Sequence, residues 1–260
     1  MPIVTLTTDF GESDHFVGVM KGVVLSLAPR STLVDISHHI TPYAVTEGAF
    51  VISEAYRYFP KGTIHVVVVD PGVGTARRPI LVQAAGQYFI GPDNGVLAMV
   101  YLNERSRVRE LTNKKYFLKE VSQTFHGRDI FAPIAGHLAK GVKPALFGKA
   151  IDNYLRPTNL NPVRIGKRHW TGVVVKVDRF GNLITNLRPD NVPDILVRAF
   201  TLVAGVTPVE KLVATYADGA YGQPVLVVGS SGYLEIVVNQ GSAAKLLGCV
   251  AGTPVELTFY

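Results

Sequence analysis

The stretch that most constrains the fold is "TIHVVVVD", residues 63–70, in which four consecutive valines lead into an aspartate. A strand that is apolar on both faces needs a covering layer on each side, as parallel strands of α/β proteins have. The preceding sequence supplies such layers, because the strand patterns "PIVTLTTDF" and "TLVDIS" alternate with helix patterns that stop at Pro29 and Pro60. This order predicts an α/β layered domain with a mostly parallel sheet, and Ser13 is the expected N-cap of the first helix.

The pattern changes in the second half of the chain. Residues 152–170 contain prolines and asparagines without periodicity, and we predict that they form a linker. Beyond them short strand patterns follow one another, among them "TGVVVKVD", "EKLVATYA" and "YLEIVVN". This density of strands is typical of a small β-barrel or sandwich. We therefore expect an α/β domain at 1–151 and a β-barrel domain at 171–260.

Charge and cysteine content narrow the class of protein. Lysine and arginine number 26 against 20 aspartates and glutamates, but they are scattered and form no nucleic-acid-binding motif, so we expect no nucleic-acid partner. Cys249 is the single cysteine, which excludes a disulfide framework. The chain contains no apolar run of about 20 residues and its start lacks a basic signal region. We expect a cytoplasmic protein that does not contact a membrane.

Acidic residues follow two strands of the predicted parallel sheet. Asp9 follows the first strand and Asp70 follows the third. Because the carboxyl ends of parallel strands meet at one edge, ligands bind there by default. Asp9 either caps its own turn or accepts hydrogen bonds from a ligand. Asp70 either forms a structural ion pair with Arg77 or Arg78, or acts as a carboxylate that orients a polar reactant.

A second polar group stands before a predicted helix in "TFHGRDIF". His126 is either a helix-entry residue satisfied by backbone, or a general base or water-orienting imidazole, and Asp129 is expected to cap the helix. A metal site is conceivable only from the scattered Asp9, Asp70, Asp93 and His126, because no metal-binding motif is present. The loop "DPGVGT" lacks the lysine of a phosphate-binding loop, so we do not expect a nucleotide phosphate there.

Two turns of the second half are also rich in polar residues. Asp178 and Asn182 lie in "DRFGNLITN", and Ser230 lies in "GSSGYLEIVVN". Each stretch is compatible with a plain turn or with a ligand contact through its side chains and amides.

Seven stretches occur in a characteristic order: "TLTTDFG", "DISHHITPY", "VVDPGVGTARR", "GPDNG", "TFHGRDIFAPIAGHLA", "DRFGNLITN" and "GYLEIVVNQGSAA". Together they resemble the S-adenosyl-L-methionine (SAM) hydrolases that release adenosine, also called SAM hydroxide adenosyltransferases. These enzymes share a fold with the fluorinases and chlorinases. The resemblance runs from about residue 3 to the C-terminus. It implies an N-terminal α/β domain, a C-terminal β-barrel and a homotrimer that binds SAM between subunits.

The resemblance also implies the reaction and its catalytic residues. Water or hydroxide attacks the ribose C5′ of SAM, giving adenosine and L-methionine without a metal or cofactor. The catalytic trio falls by motif on Asp70, Arg77 and His126, with Arg78 as the alternative arginine. The halogenating relatives carry tyrosine at the positions of Asp70 and His126, and the fluorinases carry a halide-binding serine at Gly127. The chain therefore resembles the water-using branch.

The same matching assigns the substrate contacts. Asp9 would bind the ribose hydroxyls and Tyr43 would wall the sugar pocket. Asp178 would hold the methionine ammonium and Ser230 the methionine carboxylate. The halogenases differ at Ile184 and Val238, so these contacts do not transfer as a complete set. The remaining implied contacts, to adenine or neighbouring groups, are Asn182, Tyr233, Glu235 and the backbone near Val238.

Three other functions remain open at this point. One is a SAM-dependent halogenase, which would form a 5′-halogenated adenosine. Another is a metal-dependent hydrolase, and the third is a protein that binds SAM or adenosine without turning it over.

Overall fold

A computed structural model of the chain describes residues 1–157 and 160–260. It divides into two compact units, Met1–Pro157 and Thr158–Tyr260. Thr158 and Asn159, which belong to the predicted linker, lie outside the described residues. None of the helices that the structure describes has the length and apolar character needed to cross a membrane.

The N-terminal unit alternates strands and helices through its first half, as predicted. Its elements are β1 (Ile3–Thr8), α1 (Phe16–Leu27), β2 (Thr32–Ser37), α2 (Val45–Ala55), β3 (Ile64–Val68), β4 (Pro79–Ala84), β5 (Gln87–Pro92), α3 (Ala98–Asn103), β6 (Ser106–Glu110), a π-helical turn (Gly127–Phe131), α4 (Ala132–Ala139) and β7 (Ala150–Ile151), with short 3₁₀ turns at Tyr56–Tyr58, Lys114–Tyr116 and Pro144–Leu146.

These strands form one mixed sheet in the order β2-β1-β3-β5-β4-β6-β7. The strands β2, β1, β3 and β5 pair in parallel, and β4, β6 and β7 add an antiparallel half. The α/β class is therefore confirmed. Because the parallel strands run side by side, their carboxyl ends share one edge of the sheet, where Asp9 and Asp70 follow β1 and β3.

The valine run of β3 is buried on both faces, as its composition requires. Val66 and Val68 belong to the core that includes residues of α1 and α4. Val67 and Val69 are also fully buried, and Val69 lies against Gly48 of α2, where an added Cβ would be only 3.0 Å from its side chain. Helices thus cover both faces of the parallel strands, which satisfies the apolar sequence.

Two helix-capping predictions in this unit are wrong. Helix α1 begins at Phe16, and His15 rather than Ser13 stands at its N-cap without a side-chain cap bond. Asp129 lies inside the π-helical turn, fully buried, instead of capping it. Its carboxylate accepts the Ser122 N–H at 2.8 Å and pairs with Arg128 at 2.5 Å. The buried carboxylate of Asp129 is therefore satisfied by two partners and is not available as a helix cap.

The C-terminal unit is a nearly closed, antiparallel, barrel-like sheet, which confirms the predicted barrel. Its elements are β8 (Val163–Arg164), β9 (His169–Val177), β10 (Leu183–Thr185), β11 (Phe200–Ala204), β12 (Thr207–Val209), β13 (Pro224–Val228), β14 (Leu234–Val238), α5 (Ala243–Leu247) and β15 (Pro254–Phe259), with 3₁₀ turns at Pro193–Leu196 and Tyr216–Asp218. The strand order is β12-β11-β15-β9-β10-β14-β13, and β8 pairs with β9. A bridge between Leu212 and Leu226 adds a contact to β13.

The strand predicted at "EKLVATYA", residues 210–217, is wrong. The segment makes a single bridge at Leu212 and then turns into the 3₁₀ helix Tyr216–Asp218. The Asp218 carboxylate accepts both the backbone N–H and the hydroxyl of Thr215, each at 2.9 Å. This capping box starts a helical turn and ends the extended conformation.

Candidate active site

Asp70, Arg77 and His126 form one contiguous cluster in the N-terminal unit. The Arg77 guanidinium donates to both oxygens of Asp70, from Nε to Oδ1 at 3.0 Å and from Nη2 to Oδ2 at 2.5 Å. The same Nη2 lies 2.7 Å from Nδ1 of His126. Both charged side chains are at least nine-tenths buried. The ion-pair interpretation of Asp70 is therefore confirmed, with Arg77 as its partner, and the orientation of a reactant by this carboxylate stays a prediction.

A glycine-containing turn brings Arg77 back to Asp70. The turn is closed by hydrogen bonds from Val73 N to the carbonyl of Asp70 at 3.2 Å and from Thr75 N to the carbonyl of Gly72 at 3.1 Å. Gly74 adopts φ +77° and lies so close to the carbonyl oxygen of Gln123 that a Cβ would collide with it. Glycine is thus required for backbone conformation and for contact with the segment that leads to His126.

The hydrogen bond from Arg77 determines which nitrogen of His126 carries the proton. A guanidinium only donates, so Nδ1 accepts and the neutral ring carries its hydrogen on Nε2. Burial lowers the pKa of His126, and the positive charge of Arg77 lowers it further, although Asp70 opposes this. The imidazole is therefore neutral near pH 7 and carries its hydrogen on Nε2.

Arg78 has separate partners from Arg77. Its guanidinium donates to Asp93 at 2.6 and 3.0 Å and to the side chain and carbonyl of Asn153 at 2.9 and 2.6 Å. The other carboxylate oxygen of Asp93 accepts the Leu155 N–H at 2.9 Å. These contacts hold residues 153–155 against the rest of the N-terminal unit. The structure therefore brings Arg77, and not Arg78, to Asp70.

Asp93 is occupied by this network, which bears on the metal alternative. Within residues 1–157 and 160–260, no group of three or more His, Cys, Asp and Glu side chains is arranged to hold a metal ion.

Asn94 is a residue of this site that sequence reasoning missed. Its side-chain amide donates to the carbonyl of Val69 at 2.8 Å, and its carbonyl oxygen accepts the Val96 N–H at 3.1 Å. It thereby fixes the backbone immediately before Asp70. The stretch "GPDNG" contained the signal, because asparagine beside glycine commonly bonds nearby backbone groups.

Asp9 lies near the cluster and holds Tyr43 in an unusual conformation. Oδ2 of Asp9 accepts the Tyr43 backbone N–H at 2.9 Å. Burial raises the pKa of Asp9 and the negative charge of Asp70 adds to this, whereas the backbone hydrogen bonds oppose it. Tyr43 adopts φ +68°, which is rare for a bulky residue, and 72% of it is exposed. The strained backbone presents an aromatic ring to solvent beside Asp9.

The C-terminal unit carries a pocket of about 560 Å³. Asp178 organises one wall, because its carboxylate accepts the backbone N–H groups of Phe180 and Asn182, each at 2.9 Å, and the Asn182 side-chain amide at 2.8 Å. The predicted hairpin turn and the predicted site therefore share the same residues. The lining residues are Asp178, Phe180, Asn182, Tyr216, Val238, Gln240 and Gly241.

Three predicted substrate contacts do not line this pocket. Glu235 is buried behind it and accepts the Tyr216 hydroxyl at 3.4 Å. Burial raises the pKa of Glu235, and the negative charge of Asp178 adds to this. The ring of Tyr233 faces the Arg188 guanidinium at 3.7 Å, and Ser230 stands exposed in the β13–β14 turn.

Sequence reasoning missed four lining residues, Phe180, Tyr216, Gln240 and Gly241. Phe180 is flanked by two predicted contacts, yet 78% of it is exposed, which is unusual for phenylalanine. Gln240 adopts φ +55°, a strained backbone conformation that no sequence pattern announces. Tyr216 was missed because residues 210–217 were predicted to form a strand, whereas Tyr216 begins a 3₁₀ helix.

Comparison with known proteins matches both units. Residues 4–148 match the SAM hydroxide adenosyltransferase N-terminal domain, and residues 172–256 match the C-terminal domain of the same family. The chain belongs to the SAM hydroxide adenosyltransferase family. Family membership accounts for the order of motifs along both units and confirms the resemblance that the sequence stretches carried.

Individual relatives cover the whole chain. A protein named (R)-S-adenosyl-L-methionine hydrolase from Salinispora tropica is 38% identical over 99% of this chain and 98% of its own length. A fluorinase from an Actinoplanes species is 31% identical over 99% of this chain and 97% of its own length. A crystal structure of a conserved protein from Thermotoga maritima has a TM-score of 0.88 and 34% identity, covering 99% of this chain and 100% of that one. The full-length relatives of this chain thus include proteins named as a SAM hydrolase and as a fluorinase.

Proposed function

We propose that the protein hydrolyses SAM to adenosine and L-methionine through attack of water on the ribose C5′. The observation that carries the proposal is the buried cluster of Asp70, Arg77 and His126, joined by hydrogen bonds of 2.5–3.0 Å. An acid and an imidazole stand where the resemblance places tyrosines in halogenating relatives. The family membership and the hydrolase names of full-length relatives support the same reaction.

The chemistry asks chiefly for the positioning of one water molecule. The sulfonium of SAM leaves as a neutral thioether, so the leaving group needs no general acid. The water must lie in line with C5′ and sulfur, and such positioning accounts for much of the barrier in a reaction of this type. Charge is neutralised as a hydroxide-like nucleophile approaches the sulfonium, so a dry pocket favours the reaction.

Each member of the cluster has a role that its contacts suit. His126 presents Nε2–H, which donates a hydrogen bond to the water oxygen. Asp70 is the group that accepts a hydrogen bond from the water, and this directs a water lone pair at C5′. As the C5′–O bond forms and the C5′–S bond breaks, the proton that the water loses passes to this carboxylate and from there to solvent. Arg77 holds the carboxylate through two bonds and the imidazole through a third, so its role is to fix the geometry of both. None of these steps uses a metal or cofactor.

The substrate contacts in this proposal follow the family resemblance. Asp9 accepts hydrogen bonds from the ribose hydroxyls, and Tyr43 walls the sugar. Asp178 holds the methionine ammonium and Ser230 its carboxylate. The pocket lined by Asp178, Asn182 and Val238 supports the contacts of these three residues, and the family resemblance supports the others. The further contacts in this proposal are Asn182, Tyr233, Glu235 and Val238.

The proposal includes a homotrimer with SAM at the subunit interfaces, in the cytoplasm. Its support is the family resemblance, and light scattering after gel filtration measures the assembly directly. A monomeric enzyme with full activity would contradict the interface sites.

The deciding experiment is chromatography of SAM incubated with the purified protein. We expect adenosine and methionine in equal amounts, with activity surviving exhaustive chelation and no 5′-halo-adenosine when chloride or fluoride is added. Asp70→Ala and His126→Ala should abolish adenosine release while the circular dichroism spectrum stays unchanged. Lys245→Gln, a surface change in α5, serves as the control. Near-normal turnover in either alanine variant contradicts the assigned roles, and tight nucleoside binding without methionine formation contradicts the reaction.

A further inference from the structure

His38 is a buried histidine that the catalytic cluster does not use. It is 2% exposed, whereas the side chain of its neighbour His39 is 69% exposed. Nδ1 of His38 lies 2.8 Å from the hydroxyl of Thr8, which is fully buried at the end of β1. A polar pair buried this deeply is a specific structural feature, since unpaired polar groups at such a position would destabilise the fold.

The far side of the imidazole faces a charged pair at the surface. Nε2 of His38 lies 2.9 Å from Oδ1 of Asp35, although the ring is turned too far for a well-aligned hydrogen bond. The other oxygen of Asp35 contacts Lys21 Nζ at 2.5 Å. A carboxylate accepts and does not donate, so the ring nitrogen that faces Asp35, Nε2, carries a hydrogen. The second ring nitrogen, Nδ1, shares a hydrogen bond with the Thr8 hydroxyl.

This bond fixes the backbone on both sides of Asp9. The oxygen of the Thr8 hydroxyl, oriented by His38, accepts the Phe10 N–H at 3.3 Å across Asp9. The carbonyl of His38 accepts the Gly11 N–H at 2.8 Å. His38 thus bonds to Thr8 before Asp9 and to Gly11 after it. Oδ2 of Asp9 in turn accepts the backbone N–H of the strained Tyr43 at 2.9 Å.

The order carboxylate, imidazole, hydroxyl is also that of hydrolase triads, but a nucleophilic role does not fit. Thr8 is 0% exposed, and its hydroxyl is already hydrogen-bonded to His38. No substrate atom reaches a buried hydroxyl without opening the sheet. The remaining role is to position Asp9.

We propose that His38, acting through Thr8, is a positioning residue that sets the Asp9 carboxylate for recognition of the ribose hydroxyls. The inference rests on the proposed function only in its assignment of Asp9 to the ribose. Without His38 the Thr8 hydroxyl rotates and the Asp9 turn loses its orientation. The predicted result is a selective loss of the hydroxyl contacts, with the other contacts to the nucleoside kept.

The test compares the affinities of adenosine and 2′,3′-dideoxyadenosine, measured by isothermal titration calorimetry. The ratio of their dissociation constants isolates the ribose hydroxyls. In the unmodified protein the ratio should be large, and Asp9→Asn should bring it close to one. His38→Gln and Thr8→Val should each reduce it about tenfold, because a hydrogen bond to a carboxylate is among the stronger kinds. Thr8→Ser, which restores the hydroxyl, and the exposed His39→Gln should keep the ratio.

A purely structural role predicts a different result. Both affinities would then fall together in His38→Gln and Thr8→Val, the ratio would not change, and the inference would be overturned. A ratio near one in the unmodified protein would also overturn it, because Asp9 would then not bind the ribose. Parallel SAM assays separate the two proposals, since intact SAM hydrolysis with an unchanged ratio removes only the inference about His38. Thermal unfolding of each variant establishes that it is folded. If His38→Gln does not fold, Thr8→Val provides the test instead.

Discussion

His65 offers a sharp test of how a buried imidazole couples the stability of the N-terminal unit to pH. The ring lies in β3 with no exposed surface, stacked on Phe89 with centroids 4.8 Å apart. Gln87 directs its amide nitrogen at backbone carbonyls, including that of Phe59 at 2.7 Å, so its oxygen faces Nε2 of His65 at 3.1 Å. Nε2 therefore carries the hydrogen, and Nδ1 accepts the hydroxyl of Thr5 at 2.7 Å. The neutral ring is fully satisfied.

Burial lowers the pKa of His65 from 6.5 to about 4. The unfolded chain takes up a proton near pH 6.5, whereas the folded chain does not do so until about pH 4. The contribution of His65 to the unfolding free energy is therefore complete above pH 6.5 and is lost as the pH falls from 6.5 to about 4. The full interval corresponds to about 3 kcal/mol of unfolding free energy, of which about 2 kcal/mol is lost by roughly pH 5.

The perturbation is His65→Gln, which keeps a polar side chain but removes the titration. Urea unfolding followed by far-ultraviolet circular dichroism reports on the N-terminal unit, because the longer helices α1 and α2 lie there. Between about pH 7.5 and 5 the original protein should lose about 2 kcal/mol more unfolding free energy than the variant. His39→Gln, an exposed matched control, should retain the original pH dependence. Parallel pH curves for the original protein and His65→Gln would refute the reasoning.

Three further predictions concern the catalytic cluster. Gly74→Ala places a Cβ against the carbonyl of Gln123 at a positive φ, so we expect a loss of about 1–3 kcal/mol in urea unfolding and a larger fall in kcat than in substrate affinity. Arg77→Lys removes the paired hydrogen bonds to the carboxylate and should lower kcat at least about a hundredfold, whereas Arg78→Lys should chiefly lower the melting temperature; equal kcat losses would contradict this division. Because the pKa of His126 is lowered, the acidic limb of the kcat/KM profile should lie below pH 6.5, and a limb above that value would show that the ring is charged in the free enzyme.

The sequence alone determined the fold class and the main candidate residues. The apolar valine run of β3 required cover on both faces, and the alternation of strand and helix patterns defined the α/β unit. Asp70 stood out because a charge after such a strand needs a partner. These features are local in sequence, or repeat with a short period, so they are visible without coordinates.

The choice between Arg77 and Arg78 illustrates what the sequence left open. Both arginines are adjacent and chemically identical, and only the turn around Gly74 directs one to Asp70 and the other to Asp93. The tautomer of His126 likewise depends on a donor that is distant in sequence.

Tertiary structure also decided which partners the buried charges have and which residues adopt a strained backbone. The prediction that Asp129 caps a helix failed because Arg128 within the turn and Ser122 before it supply its partners. The roles of His38 and of the strained Tyr43 depend on contacts between β1 and the segment after β2. Such contacts join residues about 30 positions apart, as Thr8 and His38 are, and no local pattern encodes them. Local periodicity therefore determines the elements, whereas hydrogen bonds between distant segments determine which side chains meet.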